Sequence, residues 1–384
     1  MSELTEFEQA RRRRRRKKNL RRTRTLVIVL AVLAAVGLLF FAGRQLGWGS
    51  HFSNLAASLR GGGGFPVTLD RQEVRQQLLG VKGGVAVCTQ GSVTVYNTGG
   101  VVTGEFPHSY NTPISVYSGG RLLTYDLGGT DWMLTNKTKT LQSGTGQGLL
   151  LGGALNDKGT MALSRRGGGY LSTVTVYNAR GEEIFLLDSN DSYLTVLALD
   201  EKGTALAAGG VLARGGALGC TVKLHDMTGR RQAAEVTMPG ELLLRLQWVE
   251  ENLLAVTDQG ARLIAPEGTV LAEARFAAPP SAVAISAGGL LYAACGDSRQ
   301  SEGVTVTAYD SGLNAVGSTP LTRRVLSLHA EKNRVFILTE ESLLLGDAAL
   351  AEVTDRGEEG LQQIAPWQNS YYCITDKGLM RQRL

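Results

Sequence analysis

Apolar positions along this chain follow two different patterns. From Leu26 to Ala42 the sequence reads LVIVLAVLAAVGLLFFA, about 17 apolar residues without a charge, at the short end of what crosses a bilayer as a helix. Nothing of that length recurs after Phe65. There the apolar runs shrink to about 5–8 residues, alternate with polar positions and stop at Gly, Asn or Asp corners, which predicts strands and tight turns and no long amphipathic helix.

The short runs repeat. SVTVYNTGG (Ser92 to Gly100), STVTVYNARG (Ser172 to Gly181), CTVKLHDMTG (Cys220 to Gly229) and GVTVTAYDSG (Gly303 to Gly312) share one design. Each is a Val/Thr strand ending in an aromatic or His, then Asn or Asp, then a glycine turn. Tyr96 and Tyr177 are 81 positions apart and His225 and Tyr309 are 84 apart, about twice the 40–42 residues of a four-stranded propeller blade. A second hairpin, ALNDKGTMALS (Ala154 to Ser164), returns 44 positions later as ALDEKGTALAA (Ala198 to Ala208). Weaker echoes follow at LQWVEENLLAVT, VAISAGGLLYAA, SLHAEKNRVFILT and IAPWQNSYYCIT. These read as the inner hairpins of successive blades.

The expected fold class is therefore all-β: an eight-bladed β-propeller, with seven blades as the alternative, preceded by a single transmembrane α-helix. Blades are expected near 73–108, 109–148, 149–189, 190–238, 239–278, 279–320, 321–357 and 358–384. The last has room for about three strands, and the leftover FPVTLDRQ (Phe65 to Gln72) is expected to supply its outer strand and close the ring.

These repeats resemble a WD40-like or quinoprotein-like propeller, and TVKLHDMTGRR (Thr221 to Arg231) is similar to the third strand and turn of a WD40 repeat. The strict Gly-His and Trp-Asp markers are absent, as is the tryptophan-docking motif of pyrroloquinoline-quinone enzymes. Taken whole, the chain resembles a bacterial family of unknown function with a basic cytoplasmic tail, one transmembrane helix and an external propeller. That resemblance implies a membrane location and no known activity.

Charge supplies the orientation. The whole chain has a formal net charge of +5, yet Met1 to Arg24 alone holds about 11 Lys+Arg against about 3 Asp+Glu. About 29 basic and 32 acidic residues remain beyond it, a balance that gives a large domain no electrostatic reason to bind nucleic acid. Basic residues flanking a span stay cytoplasmic and attract anionic headgroups. The expected layout is a cytoplasmic tail over 1–25, a span over 26–43, a Gly-rich linker over 44–64 and an extracytoplasmic propeller over 65–384, in a single-pass cell-membrane protein. A cleavable signal peptide is the alternative for the apolar run.

Motifs for chemistry are sparse. Cys88, Cys220, Cys295 and Cys373 form no CxxC pair and read as buried small hydrophobes, with a Cys88–Cys373 disulfide as a minor alternative. His51, His108, His225 and His329 show no metal spacing, and no GxSxG elbow occurs. GTGQGLLLGG (Gly144 to Gly153) fails the dinucleotide pattern because Leu stands where its last Gly belongs. No metal or cofactor is expected.

One geometric clue remains. In a blade of strands A to D, the D–A and B–C loops share one face. The longest B–C connections are in blades 3, 4 and 6, bringing Arg165, Arg166, Tyr170, Arg214 and Arg299 to one rim. Arg and Tyr are favoured in interfaces. The expected function is a non-enzymatic binding scaffold for a protein or cell-envelope partner. The alternative is a hydrolase or lyase with its active site in the central channel.

Overall fold

The structure is a computed structural model that describes residues 57, 61–69, 77–297 and 303–384. The expected tail, the span and most of the linker lie outside the described residues. Among the described residues no helix is long and apolar enough to cross a membrane.

Those residues form 31 strands in eight sheets. Seven sheets have four antiparallel strands and one has three, each built from strands consecutive in the sequence. The blades span 77–107, 113–145, 149–189, 192–239, 243–275, 280–321, 325–355 and 363–383. The eight-bladed count holds over the seven-bladed one, and the short blade is the last. The repeated Val/Thr segments are third strands, and the second repeated hairpin is the first and second strands, as the alternation requires.

The ring is closed by the N-terminal segment. Val67 forms a two-bond bridge with Leu379, its N–H donating to the Leu379 carbonyl and Leu379 N–H donating back, both at 2.8 Å. Leu379 belongs to the third strand of blade 8 (Gly378–Arg383), so residue 67 stands where that blade's fourth strand would be. The segment just before it also touches the propeller. Gly64 N–H donates to Gly99 O at 3.1 Å. A Cβ on Gly62 would fall 2.7 Å from that same carbonyl. The polypeptide thus joins the propeller beside the C–D corner of blade 1.

The repeated Asn or Asp after the aromatic has a local cause. Its side-chain oxygen accepts backbone N–H groups two and four residues on, closing the C–D turn. Asn97 takes Gly99 and Val101 at 2.9 and 3.0 Å, Asn178 takes Arg180 and Glu182 at 2.9 and 3.1 Å, and Asp310 takes Gly312 and Asn314 at 2.9 and 2.8 Å. The preceding ring packs on an aromatic of the previous blade: Tyr177 on Trp132, His225 on Phe185 and Tyr309 on Phe276, with centroids 5.6–6.0 Å apart.

The core is distributed. Each of eight apolar clusters lies between two neighbouring blades, including the pair 8 and 1. Each blade is therefore apolar on both faces, which is why second strands such as Gly84–Cys88 are buried throughout. Each fully buried Leu or Val contributes roughly 1.5–3 kcal/mol, and none of it is available to a blade alone.

A candidate binding face

The D–A and B–C connections meet on the face opposite the corner where residues 61–64 dock. Two B–C hairpins there end in paired glycines. Gly168–Gly169 have φ of +71° and +89°, and Gly215–Gly216 have +60° and +80°. Two residues in a row at positive φ make the tight turn whose twist matches its strands. The blade 4 hairpin is the longest, with strands Ala205–Arg214 and Ala217–Asp226 of ten residues each.

These hairpins carry most of the sequence-predicted site. Arg165 is half-buried on the second strand of blade 3, while Arg166 and Tyr170 are exposed beside its turn. The Arg166 guanidinium carbon lies 5.7 Å from the ring centroid of Tyr193 on the first strand of blade 4, a cation–π contact that bridges the two blades. Arg214 is the last residue of its strand, at the neighbouring hairpin tip. Arg299 lies outside the described residues.

Exposed large hydrophobic side chains favour this face. Leu127, Leu149, Tyr170 and Leu218 lie at or beside its B–C turns and strand ends, and Leu242, Leu244 and Leu326 at the D–A connections and first-strand starts. Leu218 is 63% exposed. The remaining exposed ones are chiefly on outer fourth strands, such as Leu186, Leu271 and Val316.

A feature that sequence reasoning missed re-aims side chains at the channel mouth. Among the described residues, the first strand bulges near its start in blades 3 to 7, and the skipped residues are Leu151, Thr195, Leu244, Ser281 and Leu326. The first strands of blades 8, 1 and 2 keep regular register. A bulge leaves its residue unpaired and turns it out of the ladder, and four of the five are solvent exposed. Glycine makes the bulges fit: a Cβ on Gly210 would stand 1.7 Å from the Tyr193 carbonyl oxygen.

Just inside this mouth lies Arg245, paired with Val256 directly after the blade 5 bulge. Water reaches it, yet surrounding protein lowers its guanidinium pKa by desolvation. Its charge is felt by His329 on the first strand of blade 7 (Val325–Glu331). The two groups belong to the first strands of blades on either side of blade 6. Burial first, and Arg245 second, pull the His329 pKa down to about 4. No hydrogen bond or ion pair reaches Arg245 among the described residues. The sequence placed His329 inside a predicted inner hairpin and Arg245 just before one, but gave no sign of their juxtaposition.

Two ion pairs brace the same face, one buried on both sides and one with an exposed aspartate. Arg262 on the third strand of blade 5 donates both guanidinium nitrogens to Glu241 of the preceding D–A loop at 2.7 Å each, with the side chains 14% and 11% exposed. Thr257 Oγ1 donates to Glu241 at 2.6 Å. In blade 4, Lys223 Nζ donates to Asp191 at 2.6 Å and to Ser189 Oγ at 3.2 Å. Despite a desolvation penalty, this lysine and the neighbouring serines hold the Asp191 carboxyl down at about 2. Rigid scaffolding beneath Gly-rich loops is a common arrangement for recognition.

Cys88, Cys220 and Cys373 are buried free thiols, whereas Cys295 is only half-buried. Cys88 and Cys373 belong to different apolar clusters, and burial pushes each up to about 12. Among the described residues no three His, Cys, Asp or Glu side chains come together as a metal site.

The fold is an eight-bladed β-propeller. The chain belongs to a family of unknown function (DUF5711), whose model matches residues 67–384. No curated protein matches it in sequence. Solved structures share its fold at low identity. Sqt1 of Saccharomyces cerevisiae is 11% identical with a TM-score of 0.61, covering 84% of this chain and 99% of that one. BamB from Moraxella catarrhalis is 9% identical with a TM-score of 0.55, covering 82% and 99%. The computationally designed protein Ika8 is 14% identical with a TM-score of 0.54, covering 80% and 87%.

Proposed function

We propose that this protein is a non-enzymatic binding scaffold, held at the cell membrane by the apolar segment 26–43 with its N-terminus cytoplasmic and its propeller outside. The D–A/B–C face is the working surface, and its partner is a protein or cell-envelope component. The observation that carries the reading is the gathering of exposed Leu and Tyr side chains, with Arg166 beside them, on that face. Apolar side chains rimmed by arginines on a braced surface suit macromolecular recognition. Residues 62 and 64 of this chain contact the opposite face.

A channel hydrolase or lyase is less well supported. The only carboxylate on the described first strands is Glu331, at the far end of blade 7, where it accepts Gln368 N–H at 2.5 Å. Arg245 and His329 therefore have no carboxylate partner for acid–base work.

The test is photo-crosslinking in the protein's own cells, with the reactive group at Tyr170 or Leu218 and, as control, at Val316. One shared species captured from the first two positions and not from the third supports the reading. Equal capture from all three, or failure of external protease to reach residues beyond Gly64 in intact cells, overturns it.

A further inference from the structure

The channel mouth has an unusual composition for its depth. Arg245 is solvent exposed on the first strand of blade 5 and paired with no acidic group among the described residues, and the face around it places Leu244 and Leu326 at bulges, each more than two-fifths exposed. Thr195 and Ser281 occupy the corresponding bulges of blades 4 and 6. Apart from Glu331, no carboxylate stands on the described first strands. A guanidinium that water reaches and no carboxylate pairs is a ready counter-charge for an incoming anion. A free oxyanion would satisfy Arg245 but would leave the leucines exposed to water. An acidic side chain arriving between apolar neighbours satisfies both, and the Thr195 and Ser281 hydroxyls can bond an extended backbone.

We propose that this mouth takes the carboxylate of an Asp or Glu side chain on an extended, apolar segment of a partner protein, with Arg245 as its counter-charge and Leu244 and Leu326 gripping the flanking residues. This rests on the binding-scaffold reading and specifies what the scaffold holds.

Full-length protein in detergent is panned with a displayed library of random heptapeptides. Enriched peptides are then labelled and their affinities measured for wild type, Arg245→Gln, Arg245→Lys and Leu326→Ser. Supporting peptides carry Asp or Glu beside Leu, Ile or Phe. Arg245→Gln weakens their binding about tenfold or more, and Leu326→Ser several-fold. Replacing the peptide's acid by its amide costs the same on wild type and nothing further on Arg245→Gln. An amide substitution that costs equally on both proteins overturns the pairing. Acetate and inorganic phosphate, titrated alone, are expected to compete only far above the peptide concentration. Competition at equal concentration assigns the site to a small oxyanion and overturns the peptide. If enriched peptides bind Arg245→Gln unchanged but lose affinity on Tyr170→Ala, the face binds and the channel inference fails alone. If no peptide is enriched and no crosslinked species appears, both readings fail. A melting temperature for Arg245→Gln equal to wild type, with Arg245→Lys retaining part of the affinity, shows that lost binding is not lost folding.

Discussion

Blades 3 to 7 and the arc of blades 8, 1 and 2 are made from the same hairpins, yet their first strands differ. In the arc the inner registers are regular and polar groups tie strand to strand. Gln77 donates to Ser115 O at 3.0 Å and accepts Ser115 N–H at 2.9 Å, and Val67 fastens blade 8. In the larger sector every first strand bulges, and the freed residues surround a channel mouth that holds an unpaired arginine. The seam, where chain ends must meet, is built for pairing. Away from it, pairing is locally given up and side chains are turned outward. That is the usual signature of a site maintained at some cost to regular structure.

The strongest way to break the sector is through its brace. Glu241→Gln leaves Arg262 buried without its full counter-charge, and the expected loss is about 3–5 kcal/mol of unfolding free energy, read by denaturant titration.

A pH titration separates the two sides of the contrast next. His225 in blade 4 is buried, and desolvation with nearby Lys223 lowers its pKa to about 4. A depressed histidine binds its proton more readily when unfolded, so its stabilising contribution is present above about pH 6.5 and is lost as pH falls towards about 4, at most about 3 kcal/mol. His225→Tyr, which restores the residue of the sister repeats, is expected to reduce that slope, the rest coming from His329, whose pKa is lowered to the same value. The Asp191 carboxyl acts in the same direction in a lower window, from its ordinary value down to about 2.

Gly210→Ala forces a Cβ against a backbone carbonyl at the blade 4 bulge and is expected to cost about 1–3 kcal/mol. The corresponding test of the seam is the mildest. Val67→Pro removes one donor of the closing bridge, for about 1 kcal/mol and a lower melting temperature. A seam variant that unfolds the protein outright, or a sector variant without effect, would reverse the assignment of roles.

The legibility of this fold follows from where its information lies. Tyr96-Asn97, Tyr177-Asn178 and Tyr309-Asp310 marked the third strands because each Asn or Asp closes a turn within four residues of itself. The longest hairpins were marked by the length of the segments between strands, where paired glycines close the turns. Loop length pointed to the rim, and Arg165, Arg166 and Tyr170 lie on one hairpin of it. The bulges were not visible, since skipping Leu244 or Leu326 leaves the alternation of apolar residues almost unchanged. The partnership of Glu241 with Arg262 could not be read from the sequence, where they stand 21 positions apart.

By itself, then, the amino-acid order determined the strand period, the repeating four-strand unit, the turn chemistry and the one apolar segment long enough for a bilayer, while the structure settled eight blades over seven. Those depend on residues a few positions apart, where hydrogen-bond geometry and alternation act locally. Only the tertiary structure decided which side chains meet between blades, and so brought Arg245 towards His329 and Arg166 over Tyr193. Those pairings join strands whose closeness exists only once the ring has closed and its inter-blade cores have formed.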